Sequence, residues 1–256
     1  MNFLAAIGRA FFTFLTNLGR VFNFVVSSTI ACVTPRFYFR QFWHQFYRMG
    51  YLSLPVIGLT AIFSGMVLAL QSYTGFSRFS AEGAIATVVV LSMTRELGPV
   101  LAGLMVAGRV GAAMAAEIGT MRVTEQIDAL KTLSTNPSHY LYAPRIWSAV
   151  ISMPLLVLVA DAIGVFGGYL VGVYKFDFNA TIYIDQTFKY LEAEDVTSGL
   201  IKAAVFGYVI AIMGCYMGTH SQGGAQGVGQ ATTKAVVSAS ILILLLNYIL
   251  TALLFA

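Results

Sequence analysis

Five long apolar stretches dominate the chain, and most of its polar positions fall between them. Each stretch is close to the roughly 20 residues that an α-helix needs to cross a lipid bilayer. The predicted spans cover residues 51–73, 84–108, 146–174, 199–218 and 235–255. The pattern therefore predicts an all-α integral membrane protein with five transmembrane helices.

A different pattern precedes the first span. From Arg9 to Ser27 polar side chains recur every three or four residues, which places them along one stripe of a helix. Aromatic and aliphatic side chains fill the rest of its surface, as expected of a helix lying in the membrane interface. The alternative, a poor transmembrane span, fits less well because the polar stripe runs the whole length. A basic, aromatic elbow follows at residues 35–48.

Composition supports a single membrane domain. Apolar residues make up 58% and charged residues 10% of the 256 residues, against about 45–50% and about 25% in soluble domains. This excludes a soluble, disordered or nucleic-acid-binding chain. We predict one domain over 1–256, with an interface helix and elbow at 1–48 and a five-span region at 49–256.

The basic residues predict the orientation. Ten of the 15 Lys and Arg residues lie before the first span or in the loops after spans two and four. Short loops rich in Lys and Arg stay in the cytoplasm. The N-terminus is therefore predicted to be cytoplasmic and the C-terminus to lie outside. The ten residues are Arg9, Arg20, Arg36, Arg40, Arg48, Arg109, Arg122, Lys131, Arg145 and Lys234.

Ionisable residues inside the spans are the first candidates for function. Arg95 and Glu96 fall in the middle of the second predicted span, where charges are costly and usually face a cavity or a partner. They are expected either to line a site for a head group or an ion, or to form a buried ion pair that holds two helices together. Lys202 is a second lining candidate, or it snorkels to the outer interface. Asp161 is expected to have a partner that the sequence does not identify.

The backbone next to this pair is also unusual. The following residues, Leu97-Gly98-Pro99, are expected to break or kink the helix.

A short helix is predicted in the loop after span two, within residues 117–131. It is predicted to begin at Thr124. Acidic residues fall in its first turn and Lys131 falls in its last turn, an order that the helix dipole favours. Ile127 and Leu130 share one face. Such a helix docks onto a soluble partner or lies on the membrane.

No motif for independent catalysis is present in the sequence. The glycines between residues 223 and 229 lack the Lys-Ser/Thr pair of a phosphate-binding loop. No metal-binding or nucleophile motif is found, so the chain is not predicted to be an enzyme, and we assign no catalytic or metal-binding residue.

Several motifs together closely resemble the MlaE (YrbE) permease family, the membrane subunits of lipid-transporting ABC systems in Gram-negative bacteria and chloroplasts. The resemblance covers almost the whole chain. Its motifs are residues 95–99 (RELGP), 107–112 (AGRVGA), 116–121 (AEIGTM), 124–130 (TEQIDAL) and 229–234 (GQATTK).

The resemblance implies a function and a set of partners. It implies an inner-membrane homodimer that moves phospholipid between the inner and outer membranes and supports outer-membrane lipid asymmetry. Arg95, Glu96 and Lys202 would lie near the lipid. The partners would be an ABC ATPase subunit that binds ATP and Mg, a ring of MCE-domain proteins outside, and a STAS-domain protein on the ATPase.

The family's coupling helix, which sits in a groove of the ATPase, would lie within residues 117–131, and the 223–234 loop would be a second cytoplasmic contact. The candidate coupling residues are Glu117, Arg122, Glu125, Gln126 and Asp128.

Two alternatives belong to other functional classes. The first is a transporter or channel driven by an ion gradient, with Glu96 or Asp161 as the carrier carboxylate. Such a protein would be expected to show an inverted repeat, and none is visible in the sequence. The second is a membrane scaffold that anchors envelope proteins without moving lipid.

Overall fold

The structure, a computed structural model, describes residues 3–34, 38–77 and 84–255, with the side chains of residues 3–11 and 14 left out. Arg36 and the side chain of Arg9 therefore lie outside the described part. The described residues are largely helical and contain no strand. Five helical runs are long and apolar enough to cross a membrane: Phe39–Phe76, Ile85–Val123, Ser138–Phe176, Ala193–Thr219 and Gly224–Leu254. The prediction of an all-α, five-span protein is confirmed.

Eleven α-helices make up these runs and their connections within the described residues. They are α1 (Phe3–Val33), α2 (Phe39–Met49), α3 (Leu54–Phe76), α4 (Ile85–Ser92), α5 (Gly98–Val106), α6 (Ala112–Val123), α7 (Gln126–Thr132), α8 (Ala143–Phe176), α9 (Ala180–Tyr190), α10 (Ala193–Thr219) and α11 (Gly224–Leu254). Two π-helical turns, Met93–Leu97 and Ala107–Gly111, join α4, α5 and α6 into one continuous second span.

The second span is much longer than the sequence pattern predicts. Its predicted end at residue 108 is wrong, because the helix continues to Val123. Arg109 and Glu117 interrupt the apolar run without interrupting the helix. Hydropathy marks where lipid ends, whereas the backbone hydrogen bonds and good helix formers such as alanine extend the helix beyond it.

The N-terminal helix α1 contacts the bundle through its second half. The Phe24 ring lies 5.1 Å from that of Tyr142 and 5.4 Å from that of Tyr216. Trp147 Nε1 donates a hydrogen bond to the Cys32 carbonyl at 3.1 Å. Phe12 is exposed and α1 is not among the five spans, which agrees with a helix at the membrane interface.

Helix α8 lies at the centre of the bundle and packs against α3, α5 and α10. Small residues set the spacing between these helices, as they do in many membrane bundles. A Cβ added at Gly65 on α3 would lie 1.8 Å from the Gly164 carbonyl oxygen on α8. The backbones of α3 and α8 therefore touch at a point where no larger residue fits.

The bundle has two distinct ends. One end holds α2, α7 and the first residues of α8 and α11, and we call it the α7 end. The other holds α9, the first residues of α4 and α10 and the last residues of α11, and we call it the α9 end. The predicted cytoplasmic loops all belong to the α7 end.

We expect Gly65→Ala to destabilise the protein by about 1–3 kcal/mol, the usual cost of overpacking, because the new methyl group meets the α8 backbone. Gly75→Ala on the same helix is the control, since nothing lies within 4 Å of a Cβ there. Thermal unfolding in detergent, followed by size-exclusion chromatography, measures both variants. Equal melting temperatures for the two would contradict the close α3–α8 contact.

Candidate functional site

Charged and polar side chains from three spans meet inside the bundle toward the α9 end. They come from the π-helical turn of the second span, from α10 and from α11. Arg95 lies ten residues after the start of its span, or about 15 Å along the helix. We call this group the deep charge network, and its members are Arg95, Glu96, Asp195, Lys202, Asn247 and Thr251.

Lys202 is the most buried member, with a side chain that is 0% exposed. Its Nζ donates to Glu96 Oε1 at 2.7 Å, to Thr251 Oγ1 at 2.8 Å and to the Arg95 carbonyl oxygen at 2.8 Å. An ammonium group has three N–H donors, so each one is satisfied. This removes the main penalty for burying the charge.

The Arg95 carbonyl is available to Lys202 because of the sequence that follows it. In an α-helix this carbonyl would accept from the N–H four residues later, but that residue is Pro99, which has no N–H. Of the predicted break or kink at 97–99, the break is not found, since the helix continues through the π-helical turn Met93–Leu97. The turn and the Lys202 ammonium together accommodate the proline.

Close packing brings α10 within reach of this turn. A Cβ added at Gly199 would lie 2.4 Å from the Thr94 carbonyl oxygen. Lys202 lies three residues further along α10, almost one turn away. The small residue therefore sets the distance at which the lysine meets Glu96.

Arg95 is held by a second ion pair. Its Nε donates to Asp195 Oδ1 at 2.5 Å, and its Cζ lies 4.7 Å from the centre of the Phe255 ring. Asp195 is 1% exposed and also caps α10, because its Oδ2 accepts from the Glu192 backbone N–H at 3.1 Å. The carboxylate thus fixes both the start of α10 and the direction of the guanidinium.

Only two charged members of the network reach the surface of the chain. Arg95 is 38% and Glu96 is 36% exposed. Glu96 is held from behind, since its Oε2 accepts from Asn247 Nδ2 at 2.7 Å and its Oε1 from Thr251. The two positive and two negative charges balance, so the network presents one cation and one anion side by side without net charge.

The exposed face of α11, the helix whose Asn247 and Thr251 bind Glu96, is apolar. On the outward side of α11 large apolar side chains are exposed over several turns: Val237, Ile241, Leu244, Leu245, Tyr248, Ile249 and Leu253. Such a face has to be covered by lipid or by another protein. The site can therefore hold a polar group that has both charges, at the edge of a surface suited to hydrocarbon.

The structure brings the predicted residues Arg95, Glu96 and Lys202 together, although they are far apart in sequence. Lys202 does not snorkel to an interface, since it is fully buried. Sequence reasoning missed Asp195, Asn247 and Thr251. A signal was present for the last two, because polar residues four apart in an apolar helix share one face.

Asp161 is not a member of the network. It is 7% exposed, and its Oδ1 has no hydrogen-bond partner among the described residues, so the expected partner is not found there. A Cβ added at Gly98 would lie 1.8 Å from this Oδ1. Asp161 thus lies against the backbone just after the π-helical turn, where only glycine leaves room for it.

The short helix predicted after span two is present at the α7 end, with shifted bounds. Residues 117–123 belong to α6, and α7 begins at Gln126 instead of the predicted Thr124. Glu125 before it has a φ of 59°, a left-handed conformation that ends α6 and turns the chain. Ile127 is 2% exposed and anchors α7 in the core.

The five candidate coupling residues have different environments. Asp128 accepts from Lys131 at 2.9 Å and from Arg122 at 2.7 Å, and the Lys131 ammonium, followed by the Arg122 guanidinium, holds the pKa of the Asp128 carboxyl below its ordinary value. Glu117 lies on α6 and pairs with Arg145 at 3.1 Å. Glu125 and Gln126 are exposed.

The predicted second cytoplasmic loop is mostly helical. Helix α11 begins at Gly224, so the motif at 229–234 forms its second and third turns. Gly223 and Gly224 have φ values of 89° and 68°, which allow the sharp turn before the helix. This part of the α7 end therefore has a fixed geometry next to α6, because Ser221 Oγ donates to the Gly119 carbonyl.

Comparison with known proteins gives a consistent result. The sequence profile of the family described as "Permease MlaE" matches residues 42–253. A "Probable ABC transporter permease protein" of Rickettsia bellii is 58% identical over 255 residues, covering 100% of this chain and 98% of that protein.

Two less similar relatives have more specific names. The "Intermembrane phospholipid transport system permease protein MlaE" of Haemophilus influenzae is 38% identical, covering 100% of this chain and 98% of that protein. The chloroplastic protein "TRIGALACTOSYLDIACYLGLYCEROL 1" of Arabidopsis thaliana is 36% identical, covering 86% of this chain and 63% of that protein.

We expect Glu96→Ala to destabilise the chain, because it leaves the buried Lys202 ammonium without its counter-charge. Loss of one partner of a buried pair costs about 3–5 kcal/mol, and the 36% exposure of Glu96 reduces this. The double variant Glu96→Ala/Lys202→Met also removes the unpaired Lys202 ammonium, and should recover most of the lost stability. Thermal unfolding of both variants in detergent tests this, and a double variant less stable than Glu96→Ala would contradict the pairing.

Proposed function

Because the chain belongs to the MlaE permease family, we propose that it is the permease subunit of an ABC transporter that moves phospholipid between the inner and outer membranes. In this proposal it is a multi-pass protein of the inner membrane and supports the lipid asymmetry of the outer membrane. The observation that carries the proposal is the deep charge network, which presents Arg95 and Glu96 beside an apolar surface.

The chemistry of the network suits a phospholipid head group. A guanidinium matches the geometry of a phosphate diester and can donate two hydrogen bonds to it. Glu96 is the next residue and its side chain is 36% exposed, so in this proposal it accepts a further hydrogen bond from an amine, as in a zwitterionic head group. Lys202 is fully buried, so its role in this proposal is to position Glu96 and the Arg95 backbone, and it does not contact lipid itself.

The site is open on one side, which supports a homodimer. Arg95 and Glu96 are about one-third exposed in the isolated chain, and the neighbouring face of α11 is apolar. A second copy facing this side would close a cavity with apolar walls and charges at one level. The acyl chains of the lipid would lie against those walls.

Energy for transport would come from a separate ATPase that binds ATP and Mg. The chain has no phosphate-binding loop of its own. Helix α7 is fixed by Ile127 and by the Arg122–Asp128 ion pair and exposes Glu125 and Gln126, which suits a docking element. A rigid element of this kind can pass on a change in the ATPase because its contacts differ between two states.

The remaining partners follow from the family resemblance. The α7 end would face the cytoplasm together with the N-terminus, and the C-terminus would lie outside. An MCE-domain ring would sit at the α9 end, and a STAS-domain protein would bind the ATPase.

The ion-gradient alternative is weakened by the geometry of Glu96. A carrier carboxylate has to release its partners in each cycle, whereas Glu96 accepts hydrogen bonds from Lys202, Asn247 and Thr251 together. The scaffold alternative predicts that changes in the network leave the movement of lipid unaffected.

We expect Arg95→Gln to lower ATP-dependent lipid transfer by about tenfold, the effect of losing one charge-assisted hydrogen bond to phosphate. Arg20→Gln is the control, because Arg20 is an exposed cation on α1 that lies outside the network and outside both proposed docking surfaces. Transfer of a fluorescent phospholipid from proteoliposomes measures both variants. Unchanged transfer in Arg95→Gln, with normal assembly, would favour the scaffold alternative.

For the docking helix, we expect Glu125→Arg to reduce co-purification of the ATPase and to lower the ATP hydrolysis of the complex several-fold. The substitution places a reversed charge at an exposed position of the proposed interface. Asp185→Arg makes the same reversal at an exposed position on α9, at the opposite end, and should leave both measurements unchanged. Equal hydrolysis in the two variants would contradict docking through this part of α7.

A further inference from the structure

A cavity with charged side chains in its walls lies at the α7 end, between α2, the turn Tyr51–Ser53 before α3 and the second span. Its volume is about 190 Å³. Arg48, Arg109 and Glu117 contribute its charges, and Leu52 and Met114 are among its apolar walls. Arg109 follows Arg95 by 14 residues along one continuous span, or about 21 Å, so this cavity is separate from the deep charge network.

Positive charge exceeds negative charge around this cavity. Among the described residues that line the cavity Glu117 is the only carboxylate, and both of its oxygens are already engaged. Oε2 lies 3.4 Å from Arg48 Nη1, and Oε1 lies 3.1 Å from Nη2 of the buried Arg145. Arg109 donates to the neutral Ser53 hydroxyl at 2.7 Å. Three guanidinium groups therefore share one carboxylate among the described residues.

The chain offers this cavity little further negative charge. The other acids of the α7 end are Glu125 and Asp128, and Asp128 is held by Arg122 and Lys131. Arg48 and Arg109 are both exposed, and both line the cavity. An anion of another molecule would balance them, and a phosphate diester fits the donor geometry of two guanidinium groups.

An apolar track leads away from the cavity along α3. It starts at Leu52, in the turn before α3, and continues along α3 at intervals of three or four residues, so its members on α3 share one helix face. Each side chain is exposed: Leu52, Val56, Leu59, Phe63 and Val67. The track is about 22 Å long, somewhat more than the roughly 15 Å of one leaflet's hydrocarbon.

We propose that this cavity binds the phosphate of an anionic phospholipid in the leaflet at the α7 end, with an acyl chain along the α3 track. The excess of positive charge favours an anionic head group, and the apolar track favours a molecule with an acyl chain over free phosphate. The inference rests on the proposed function only for the orientation that makes this leaflet cytoplasmic. It gives the permease a lipid site at the opposite membrane level from Arg95.

Photo-crosslinking tests this site directly. A benzophenone amino acid replaces Leu52 in the full chain, purified with the subunits that accompany it and reconstituted with phosphorus-labelled phosphatidylglycerol. We expect lipid labelling without ATP, and weaker labelling with phosphatidylcholine. Arg48→Gln/Arg109→Gln should lower the labelling by about tenfold, whereas Arg20→Gln on exposed α1 should leave it unchanged.

Two further variants separate charge from folding. Arg48→Lys/Arg109→Lys keeps both charges and should retain most of the labelling. If the double glutamine variant fails to assemble, Arg48→Gln alone is measured instead, because the Arg48 side chain is 48% exposed and its ion pair with Glu117 is long, at 3.4 Å.

Three results would overturn the proposal. They are equal labelling in the glutamine and control variants, loss of lipid labelling on adding millimolar inorganic phosphate, and crosslinks at Leu52 to protein alone. Labelling that persists in a complex unable to transfer lipid would sustain this inference while contradicting the proposed function. Normal lipid transfer without lipid labelling at Leu52 would contradict this inference while sustaining the proposed function.

Discussion

The Lys202 ammonium lies in a part of the bundle where its side chain has no contact with solvent. A buried charge of this kind is tolerated only when its counter-charge and its hydrogen-bond acceptors are all in place. Three groups from two spans supply them: the Glu96 carboxylate and the Arg95 carbonyl from the second span, and the Thr251 hydroxyl from α11. The proline at position 99 leaves that carbonyl without its helical donor, so backbone and side chain depend on each other.

This requirement determines what the network can present to another molecule. Since Lys202 and Asp195 are buried and paired, Arg95 and Glu96 point toward the open side with little freedom to turn. Preorganised charges of opposite sign recognise a zwitterionic group without much loss of side-chain entropy. The same helical span leads through Arg109 and Glu117 to the turn before α7, so one continuous helix connects Arg95 and Glu96 with the proposed docking helix.

Much of the fold could be predicted from the sequence, because lipid imposes a strong pattern. Span number, the interface helix and the helix near residue 127 all follow from hydropathy and periodicity. The helix bounds could not be predicted, since a helix continues beyond the hydrocarbon wherever its backbone bonds are favourable, as α6 does to Val123. The interaction of Lys202 with Glu96 was open because it depends on the packing of α10 at Gly199. Asp195 was missed because a carboxylate in a predicted outer loop resembles an ordinary surface charge.

The most direct test is a cryo-electron microscopy structure of the assembled complex in lipid nanodiscs. We predict head-group density within hydrogen-bond distance of the Arg95 guanidinium, between two copies of the chain, with Lys202 still bound to Glu96. A well-resolved structure in which helices of the neighbouring copy seal Arg95 and Glu96, with no lipid beside them, would contradict the account.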